Sequence, residues 1–304
     1  MLRFIPREQL LRLINHSELV EAVRDALIKL HRGQGELPPR FSVSIRGNWW
    51  GLMLGYVEGM GVGVKIVNLY PGNAGKGIET IHGVVILFNE TDGTPLLAMD
   101  GSSLTGLRTA AASALSVIAA GASTDVLGFI GAGEQARYHA LVFSRLFKVR
   151  EAYAISRGWD RLMNFINYVK ELGIEAHAAD NVDEIINKCS TVVIATTSTL
   201  PVLTIKPRGG VHVISIGAPK PIIEVSRPVL EGASCIIADN REAVLNEAGE
   251  DFTGLRLMDL SELLSGDYKC MRGSGYTIYK SVGFSTLDVA AAYYVYRVYV
   301  KGNG

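Results

Sequence analysis

The N-terminal part of the chain has apolar residues at the spacing of a helix. A short helix is predicted over residues 10–14, and a second follows Ser17, whose hydroxyl is the expected N-cap. Gly33 and Gly35 end the second helix, and two prolines then hold the chain extended. The apolar face of the second helix consists of Leu19, Val23, Ala26, Leu27 and Leu30.

Between residues 41 and 99 the pattern changes to short apolar runs that are separated by turn signals. The turns are expected at residues 71–73 and at Asp92 with Gly93. Consecutive strands joined by short turns pair side by side, so this pattern predicts an antiparallel sheet. The predicted strands are residues 41–45, 50–54, 61–68 and 83–88.

After residue 125 strand-like runs alternate with helical runs, which predicts a parallel sheet with helices on its faces. Residues 285–300 again have helical spacing, and this helix is expected to pack back on the N-terminal domain. The predicted strands are residues 126–130, 152–155, 191–195, 211–216 and 235–238. Helices are predicted over residues 159–172 and 182–189.

A glycine turn follows the first strand of this second region, in the spacing G-x-G-x-x-A. Gly131 permits a tight turn, Gly133 lets the backbone approach a pyrophosphate, and Ala136 lets the next helix pack closely. Because the helix N-terminus offers free N–H groups to phosphates, we favour dinucleotide binding over a chance glycine turn. The predicted dinucleotide contacts are Thr109, Gly131, Ala132, Gly133, Glu134, Gln135, Ala136, Thr196 and Thr197.

These patterns together predict an α/β protein of two domains. A Rossmann-type doubly wound parallel sheet is expected over residues 116–283. A second, α+β domain is expected to comprise residues 1–115 and 284–304.

The residues at the tip of the second predicted parallel strand indicate which dinucleotide is bound. An acid there would bind the ribose 2′-OH of NAD, whereas a basic or small polar residue suits the 2′-phosphate of NADP. The strand runs into Ser156 and Arg157, with Arg161 one turn further, and the nearest acid, Asp160, is already in the next helix. NADP(H) is therefore the preferred cofactor, with NAD(H) as the alternative. The competing interpretation of Arg157 is a solvated surface side chain.

Composition excludes several classes of function. Thirty basic and thirty acidic residues cancel, so a nucleic-acid partner is not expected. The apolar stretch 110–122 is too short to span a bilayer and is predicted to be a buried helix, and no membrane association is expected. Cys189, Cys235 and Cys270 fit neither a metal pattern nor a disulfide framework, which favours the cytoplasm.

Three cations of the first domain are candidates for binding an anionic substrate. Lys65 interrupts an apolar strand; it is either a buried site residue or an outward side chain, with Val62, Val64 and Ile66 in the core. Arg108 is expected in the first turn of a helix that begins near Thr105, where a bound anion would offset the helix dipole. The alternative for Arg108 is an ion pair with Asp100. The third cation, Arg40, follows two prolines.

Several segments, in this order, resemble the ornithine cyclodeaminase/mu-crystallin family. They are residues 65–68, 71–73, 104–111, 131–136 and 280–283, with Asp288 after them. The resemblance implies that Arg40 and Arg108 bind a substrate α-carboxylate, that Lys65 is the catalytic residue at the reacting carbon, and that Ser281 lies near the cofactor. It also implies an active site between the domains and a homodimer joined through the first domain.

Two departures from the family bear on the reaction. Pro219 stands where cyclodeaminases carry an Asp that assists the amine chemistry, and Gly51 stands where they carry an acid near the substrate amine. The resemblance therefore implies an NADP(H)-dependent oxidoreductase that acts on the C–N bond of a small amino acid or cyclic imino acid. The alternatives are an ornithine cyclodeaminase and an NADPH-dependent ligand-binding protein of the mu-crystallin type.

Overall fold

The computed structural model describes residues 2–73, 76–270 and 275–303. The chain divides into two compact units: unit 1 comprises residues 1–108 and 284–304, and unit 2 comprises residues 109–283. The division falls within one long helix that runs over Gly101–Ala120. The domain boundary predicted after residue 115 lies in the same helix.

Unit 1 is built on a sheet of seven strands in its described part, in the order β1-β7-β6-β5-β4-β2, with β3 paired to β4. Among the described strands of this sheet, only the β1–β7 pair is parallel, and the other pairs are antiparallel. The elements are β1 (Phe4–Ile5), α1 (Arg7–Leu13), α2 (His16–His31), β2 (Gly35–Glu36), β3 (Phe41–Ile45), β4 (Asn48–Val57), β5 (Gly61–Leu69), a 3₁₀ turn (Pro71–Asn73), β6 (Ile81–Phe88), β7 (Pro95–Asp100), the start of α3 (Gly101–Ala120) and α10 (Ser285–Asn303).

The sequence predicted the antiparallel core of this sheet and missed the strands on either side of that core. The four predicted strands lie within β3 to β6, whereas β1, β2 and β7 were not predicted. The cap of α2 was also predicted wrongly. Asn15, not Ser17, is the N-cap, because its Oδ1 accepts hydrogen bonds from the backbone N–H groups of Ser17 and Glu18, at 3.0 and 3.2 Å.

A pair of glycines lets α10 lie close to the sheet of unit 1. Gly55 on β4 and Gly63 on β5 are direct partners in the register. A Cβ added at Gly55 would lie 2.5 Å from Ser285 Oγ, and one added at Gly63 would lie 2.8 Å from Val289 Cγ2. Since no larger residue fits, the two glycines determine how near α10 comes to β5.

Unit 2 contains a sheet of eight described strands, all parallel, in the order β10-β9-β8-β11-β12-β15-β13-β14. The predicted α/β class is thereby confirmed, although β10, β14 and β15 were not predicted. The elements are the rest of α3, β8 (Val126–Ile130), α4 (Glu134–Leu146), β9 (Glu151–Ile155), α5 (Trp159–Glu171), β10 (Glu175–Ala178), α6 (Val182–Lys188), β11 (Thr191–Ile194), β12 (His212–Ser215), α7 (Arg227–Glu231), β13 (Cys235–Ala238), α8 (Arg241–Glu247), β14 (Leu257–Asp259), α9 (Leu260–Ser265) and β15 (Thr277–Lys280).

Helix α3 is longer than the apolar stretch that predicted it. Its 20 residues are long and apolar enough to cross a membrane by length and composition, which corrects the expectation that this region is too short. However, 83% of the apolar window is buried inside the structure. The prediction of a buried core helix is therefore confirmed.

The cysteines form a disulfide that the sequence did not predict. Cys235 at the start of β13 and Cys270 after α9 are bonded, with their Cα atoms 5.8 Å apart, although 35 residues separate them in sequence. Their separation had argued against a bridge, but the fold brings the two segments together. Cys189 is free and buried. The argument from the cysteines to a reducing compartment therefore fails.

Candidate active site

Lys65 lies on the buried face of β5 in unit 1. Gly61, Gly63 and Lys65 share that face, and the Lys65 residue is only 3% exposed. Ile66 points the other way and is 41% exposed. The alternative of an outward Lys65 with Ile66 in the core is therefore wrong, because the strand turns its alternate residues the opposite way.

One carboxylate is shared by two of the predicted cations. Asp288, in the first turn of α10, accepts a hydrogen bond from Arg108 Nε at 3.0 Å and pairs with Lys65 Nζ at 2.8 Å. The side chains of all three residues are 4% exposed or less. Thr105 Oγ1 lies 3.5 Å from Lys65 Nζ. The close approach of α10 at Gly63 thus places Asp288 beside Lys65.

The pKa values of this cluster follow from its burial and its charges. Burial lowers the pKa of Lys65 to about 8; the attraction of Asp288 limits the fall, and the charges of Arg108 and Arg40 add to it. Burial alone would raise the pKa of Asp288, but Lys65 and Arg108 together hold it below its ordinary value. Asp288 is therefore ionised at neutral pH, and Lys65 can exchange its proton near that pH.

The cluster carries more positive than negative charge. In the part of the chain that the structure describes, Lys65 and Arg108 share the one carboxylate of Asp288, and the charge of the half-buried Arg40, which has contacts of its own, also acts on Lys65. An excess of buried positive charge is unfavourable unless an anion compensates it. The three cations that the sequence singled out are thus electrostatically linked, and they are suited to bind a carboxylate.

Arg108 owes its position to a different feature from the predicted one. Helix α3 begins at Gly101, and Asp100 Oδ1 caps it by accepting a hydrogen bond from the backbone N–H of Ser103, at 2.8 Å. Arg108 is consequently about two turns beyond the helix start, where the helix dipole is weak. The predicted first-turn location is wrong, and so is the predicted ion pair with Asp100, since Asp288 is the partner of Arg108.

An aromatic ring covers the backbone next to Lys65. Trp49, Gly51 and Met53 alternate along one face of β4, and Met53 pairs with Lys65 across to β5. A Cβ added at Gly51 would collide with the outer ring atoms of Trp49, so the indole lies over Gly51. An acid at position 51 would have to displace this ring. The indole of Trp49 therefore occupies the space beside position 51, and the argument from Gly51 against cyclisation stays a prediction.

The glycine turn of unit 2 has the geometry that a dinucleotide needs. Gly131 has a φ of +105°, and a Cβ there would collide with the carbonyl oxygen of Ala195. Gly133 is the N-cap of α4, and a Cβ added to it would meet no atom within 4 Å. Ala136 is fully buried. No side chain therefore covers the backbone at the start of α4. The glycine turn and the first N–H groups of this helix fit a pyrophosphate.

The residues predicted to choose between NAD and NADP lie where the sequence indicated. β9 ends at Ile155, directly before Ser156, and Arg157 and Arg161 are exposed. Within the described part of the chain, neither arginine makes a hydrogen bond or an ion pair. Their guanidinium groups are therefore available to an anion.

Two predicted cofactor residues in unit 2 are held by acids that the sequence did not reveal. Ser281 Oγ donates to Asp239 Oδ2 at 2.7 Å, and the next two backbone N–H groups donate to the same oxygen. The backbone N–H and the hydroxyl of Thr196 both donate to Glu224 Oε1, at 2.7 and 3.0 Å. Thr109 is buried, and Thr197 is exposed. The cofactor roles of these residues stay predictions.

Comparisons with known proteins agree on one family. The model of the ornithine cyclodeaminase/mu-crystallin family matches residues 5–303. A Delta(1)-pyrroline-2-carboxylate reductase of Bacillus thuringiensis subsp. konkukian (strain 97-27) is 28% identical over 308 residues, or 96% of this chain and 94% of the relative.

Two solved structures are similar over the full length. Thermococcus litoralis Delta(1)-pyrroline-2-carboxylate reductase, in complex with NADH and L-proline, has a TM-score of 0.92 at 27% identity, covering 100% of this chain and 98% of the other. An archaeal alanine dehydrogenase dimer with bound NAD has a TM-score of 0.89 at 27% identity, covering 100% and 97%. The family match over nearly every residue confirms the resemblance that the sequence motifs indicated: the chain belongs to the ornithine cyclodeaminase/mu-crystallin family.

Proposed function

We propose that the protein is a nicotinamide-dinucleotide-dependent oxidoreductase that acts on the C–N bond of a small amino acid or cyclic imino acid. The observation that carries this proposal is the buried cluster of Lys65, Arg108 and Asp288, with its excess of positive charge. Relatives named as a pyrroline-2-carboxylate reductase and an alanine dehydrogenase perform this class of reaction. The open glycine turn of unit 2 supplies the dinucleotide site.

The two arginines orient the substrate. Arg108 donates through Nε to Asp288, which leaves the two terminal nitrogens of its guanidinium group for a second anion. With Arg40 it binds the α-carboxylate by charge-assisted hydrogen bonds, which are stronger than neutral ones. Holding the carboxylate in this way restricts the orientation of the reacting α-carbon.

Lys65 is the group that transfers a proton to or from the substrate nitrogen. In the reductive direction its ammonium group gives a proton to the imine nitrogen, and the C=N bond becomes an amine. The bound dinucleotide supplies the hydride that the α-carbon accepts. Lys65, left neutral by this transfer, then regains a proton from water. In the oxidative direction the neutral Lys65 side chain accepts the proton that leaves the substrate nitrogen.

A substrate panel tests this function. We expect purified protein to oxidise NADPH or NADH, followed at 340 nm, with pyrroline-2-carboxylate, piperideine-2-carboxylate, or pyruvate plus ammonia. Release of ammonia and proline from ornithine without net change in absorbance would instead identify a cyclodeaminase. Saturable binding of these compounds without any turnover would identify a ligand-binding protein. Either of these outcomes refutes the proposal.

The preference for NADP(H) is a further part of the proposal. Ser156 and the exposed Arg157 follow β9, where the 2′ group of the ribose is read, and no acid stands at that tip. The Arg157→Ala variant is expected to raise KM for NADPH about tenfold or more, because a charge-assisted bond contributes about 1.5–3 kcal/mol. KM for NADH should change little.

The control for this measurement is Arg145→Ala, which removes an exposed arginine from the opposite end of α4. Steady-state KM values for both dinucleotides should equal those of the unmodified protein. A lower KM for NADH than for NADPH in the unmodified protein would contradict the preference, as would equal losses for both in Arg157→Ala.

A homodimer joined through unit 1 is also proposed. One row of neighbouring residues across β3 to β6 is apolar yet exposed, on the face of the sheet opposite Lys65. The row consists of Phe41, Leu52, Ile66 and Val84, which are 63%, 41%, 41% and 37% exposed. A contiguous apolar patch of this kind is typical of an interface, and the similar alanine dehydrogenase is a dimer.

The mass in solution tests the dimer. Light scattering after size exclusion should give twice the chain mass of 32.9 kDa. The double variant Leu52→Glu, Ile66→Glu should give the mass of one chain, because charges buried in an interface are unfavourable. Leu200→Glu, at a residue of unit 2 that is 74% exposed, should stay dimeric. A dimer that survives the double variant would contradict the proposed interface.

The proposal places the enzyme in the cytoplasm. The nicotinamide cofactor and the small substrate support that location, whereas the Cys235–Cys270 bridge is of a kind that is rare there outside hyperthermophiles. Free-thiol counting on protein purified under anaerobic, non-reducing conditions tests whether the bridge forms in the cell.

A further inference from the structure

A buried glutamate joins two loops at the carboxyl ends of the strands in the unit 2 sheet. Glu224 is completely buried and lies in neither a strand nor a helix. Its Oε1 accepts from the backbone N–H and the hydroxyl of Thr196, just after β11. Its Oε2 accepts from Ser215 Oγ at the end of β12, at 2.8 Å, and from the backbone N–H of Gly217 just after that strand, at 2.7 Å. One carboxylate therefore connects the ends of two adjacent strands.

The first of these loops also touches the glycine turn. Gly131 approaches the carbonyl oxygen of Ala195 so closely that no side chain fits at position 131. Ala195 immediately precedes Thr196, whose backbone N–H is held by Glu224. A displacement of Thr196 would therefore be passed to the turn that carries the pyrophosphate. In parallel α/β sheets, ligands bind at the carboxyl ends of the strands, where these loops lie.

We infer that Glu224 is a positioning residue for the dinucleotide: its carboxylate holds the Thr196 loop and the Gly217 loop in the arrangement that binds the cofactor. The inference rests on the proposed function, and it extends that function to a residue with no predicted contact to cofactor or substrate. Glu224 acts through the two backbone segments it holds.

The pattern of donors makes a carboxylate necessary. Each oxygen of Glu224 receives one backbone N–H, and neither of these donors can rotate away. A glutamine has one oxygen and one NH₂ group, so in either orientation it directs its NH₂ group at a backbone N–H. One loop then loses its acceptor and must move. A glutamine has nearly the same size and shape as a glutamate, so the substitution changes the hydrogen bonding and not the packing.

A lysine balances the charge beside this carboxylate. Burial raises the pKa of Glu224, and the ammonium group of Lys280 and the backbone N–H groups oppose the rise. Lys280 Nζ donates to Ser215 Oγ at 3.1 Å, to the Gly217 carbonyl at 2.8 Å and to Glu250 at 2.9 Å. Glu250 in turn accepts from the backbone N–H of Glu224. The Gly217 loop is therefore held from both sides.

Titration of NADH and NADPH by fluorescence, together with steady-state kinetics, tests the inference. The E224Q variant should bind both dinucleotides about tenfold more weakly, while kcat at saturating dinucleotide stays within about threefold, since no reacting group is changed. Thr191→Val is the control, because it removes a half-buried hydrogen bond to the Ser123 carbonyl at the other end of β11. It should lower the unfolding midpoint without changing dinucleotide affinity.

A second variant keeps the test decisive if E224Q does not fold. In Gly217→Ala the added Cβ would lie 2.6 Å from Glu224 Cδ and would push the carboxylate out of place, so the same loss of affinity is expected. If the unmodified protein binds dinucleotide and a folded variant binds it equally well, the inference is overturned and the proposed function is not affected. An equal loss of affinity in Thr191→Val also overturns the inference. Unmodified protein that binds neither dinucleotide overturns the proposed function instead.

Discussion

Replacement of Lys65 by methionine is expected to lower kcat for imine reduction by about 10²–10⁴-fold, which is the usual contribution of a general acid. Methionine fills similar space but carries no proton to donate. Asp288 keeps Arg108 as its partner in this variant, so the fold should persist. The dinucleotide site belongs to unit 2, and fluorescence titration should therefore give unchanged NADPH affinity.

The pH dependence of the reaction tests the same role of Lys65. The pKa of Lys65 is about 8, and its ammonium form is the proton donor, so kcat/KM for imine reduction should be level below pH 8 and fall above it. The residual activity of Lys65→Met should lack this fall. Lys188→Met, which removes an exposed lysine of α6, is the control and should behave as the unmodified protein. Turnover in Lys65→Met equal to that of the control would refute the role of Lys65.

Replacement of Lys280 by methionine is expected to cost about 3–5 kcal/mol in the free energy of unfolding, measured by urea denaturation. Removal of one partner from a buried ion pair leaves the other charge uncompensated. Lys280 and Glu250 are both 1% exposed in their side chains, and Glu224 lies in the same network. Two buried carboxylates would thus remain without their cation.

The same change at the surface is the control for stability. Lys188 pairs with Glu184 four residues away at 2.7 Å, and Lys188→Met should cost less than about 1 kcal/mol. The double variant Lys280→Met, Glu250→Gln should recover part of the loss, because it removes one of the two stranded charges. Equal stability of Lys280→Met and Lys188→Met would show that Lys280 does not compensate the buried acids.

Much of the fold could be predicted because its elements have a local signature. β8 and β13 were predicted to the residue, since each is a short apolar run bounded by polar or turn residues. The strands that were missed are very short or depend on distant partners. β15, for example, lies between β12 and β13, which are both distant from it in the sequence. Nothing near it in the sequence indicates that position.

The candidate site was predicted through its cations and missed in its acids. Lys65 could be predicted because a charged residue in an otherwise apolar strand is visible from its immediate neighbours in the sequence. Asp288 entered the sequence analysis only as part of the family resemblance and had no assigned role, because its partners lie 180 and more residues away. The disulfide was missed for the same reason: long-range proximity is a property of the fold, and spacing along the chain does not contain it.

The order of the strands has a consequence for biosynthesis. β15 completes the middle of the unit 2 sheet, and α10 belongs to unit 1, so both units depend on residues 277–303. A nascent chain that lacks these residues has β12 and β13 unpaired along one side, and unpaired strand edges invite association with other chains. Native assembly of both units must therefore wait until residues 277–303 have been synthesised, and protection of the emerging chain by chaperones should raise the yield of active protein.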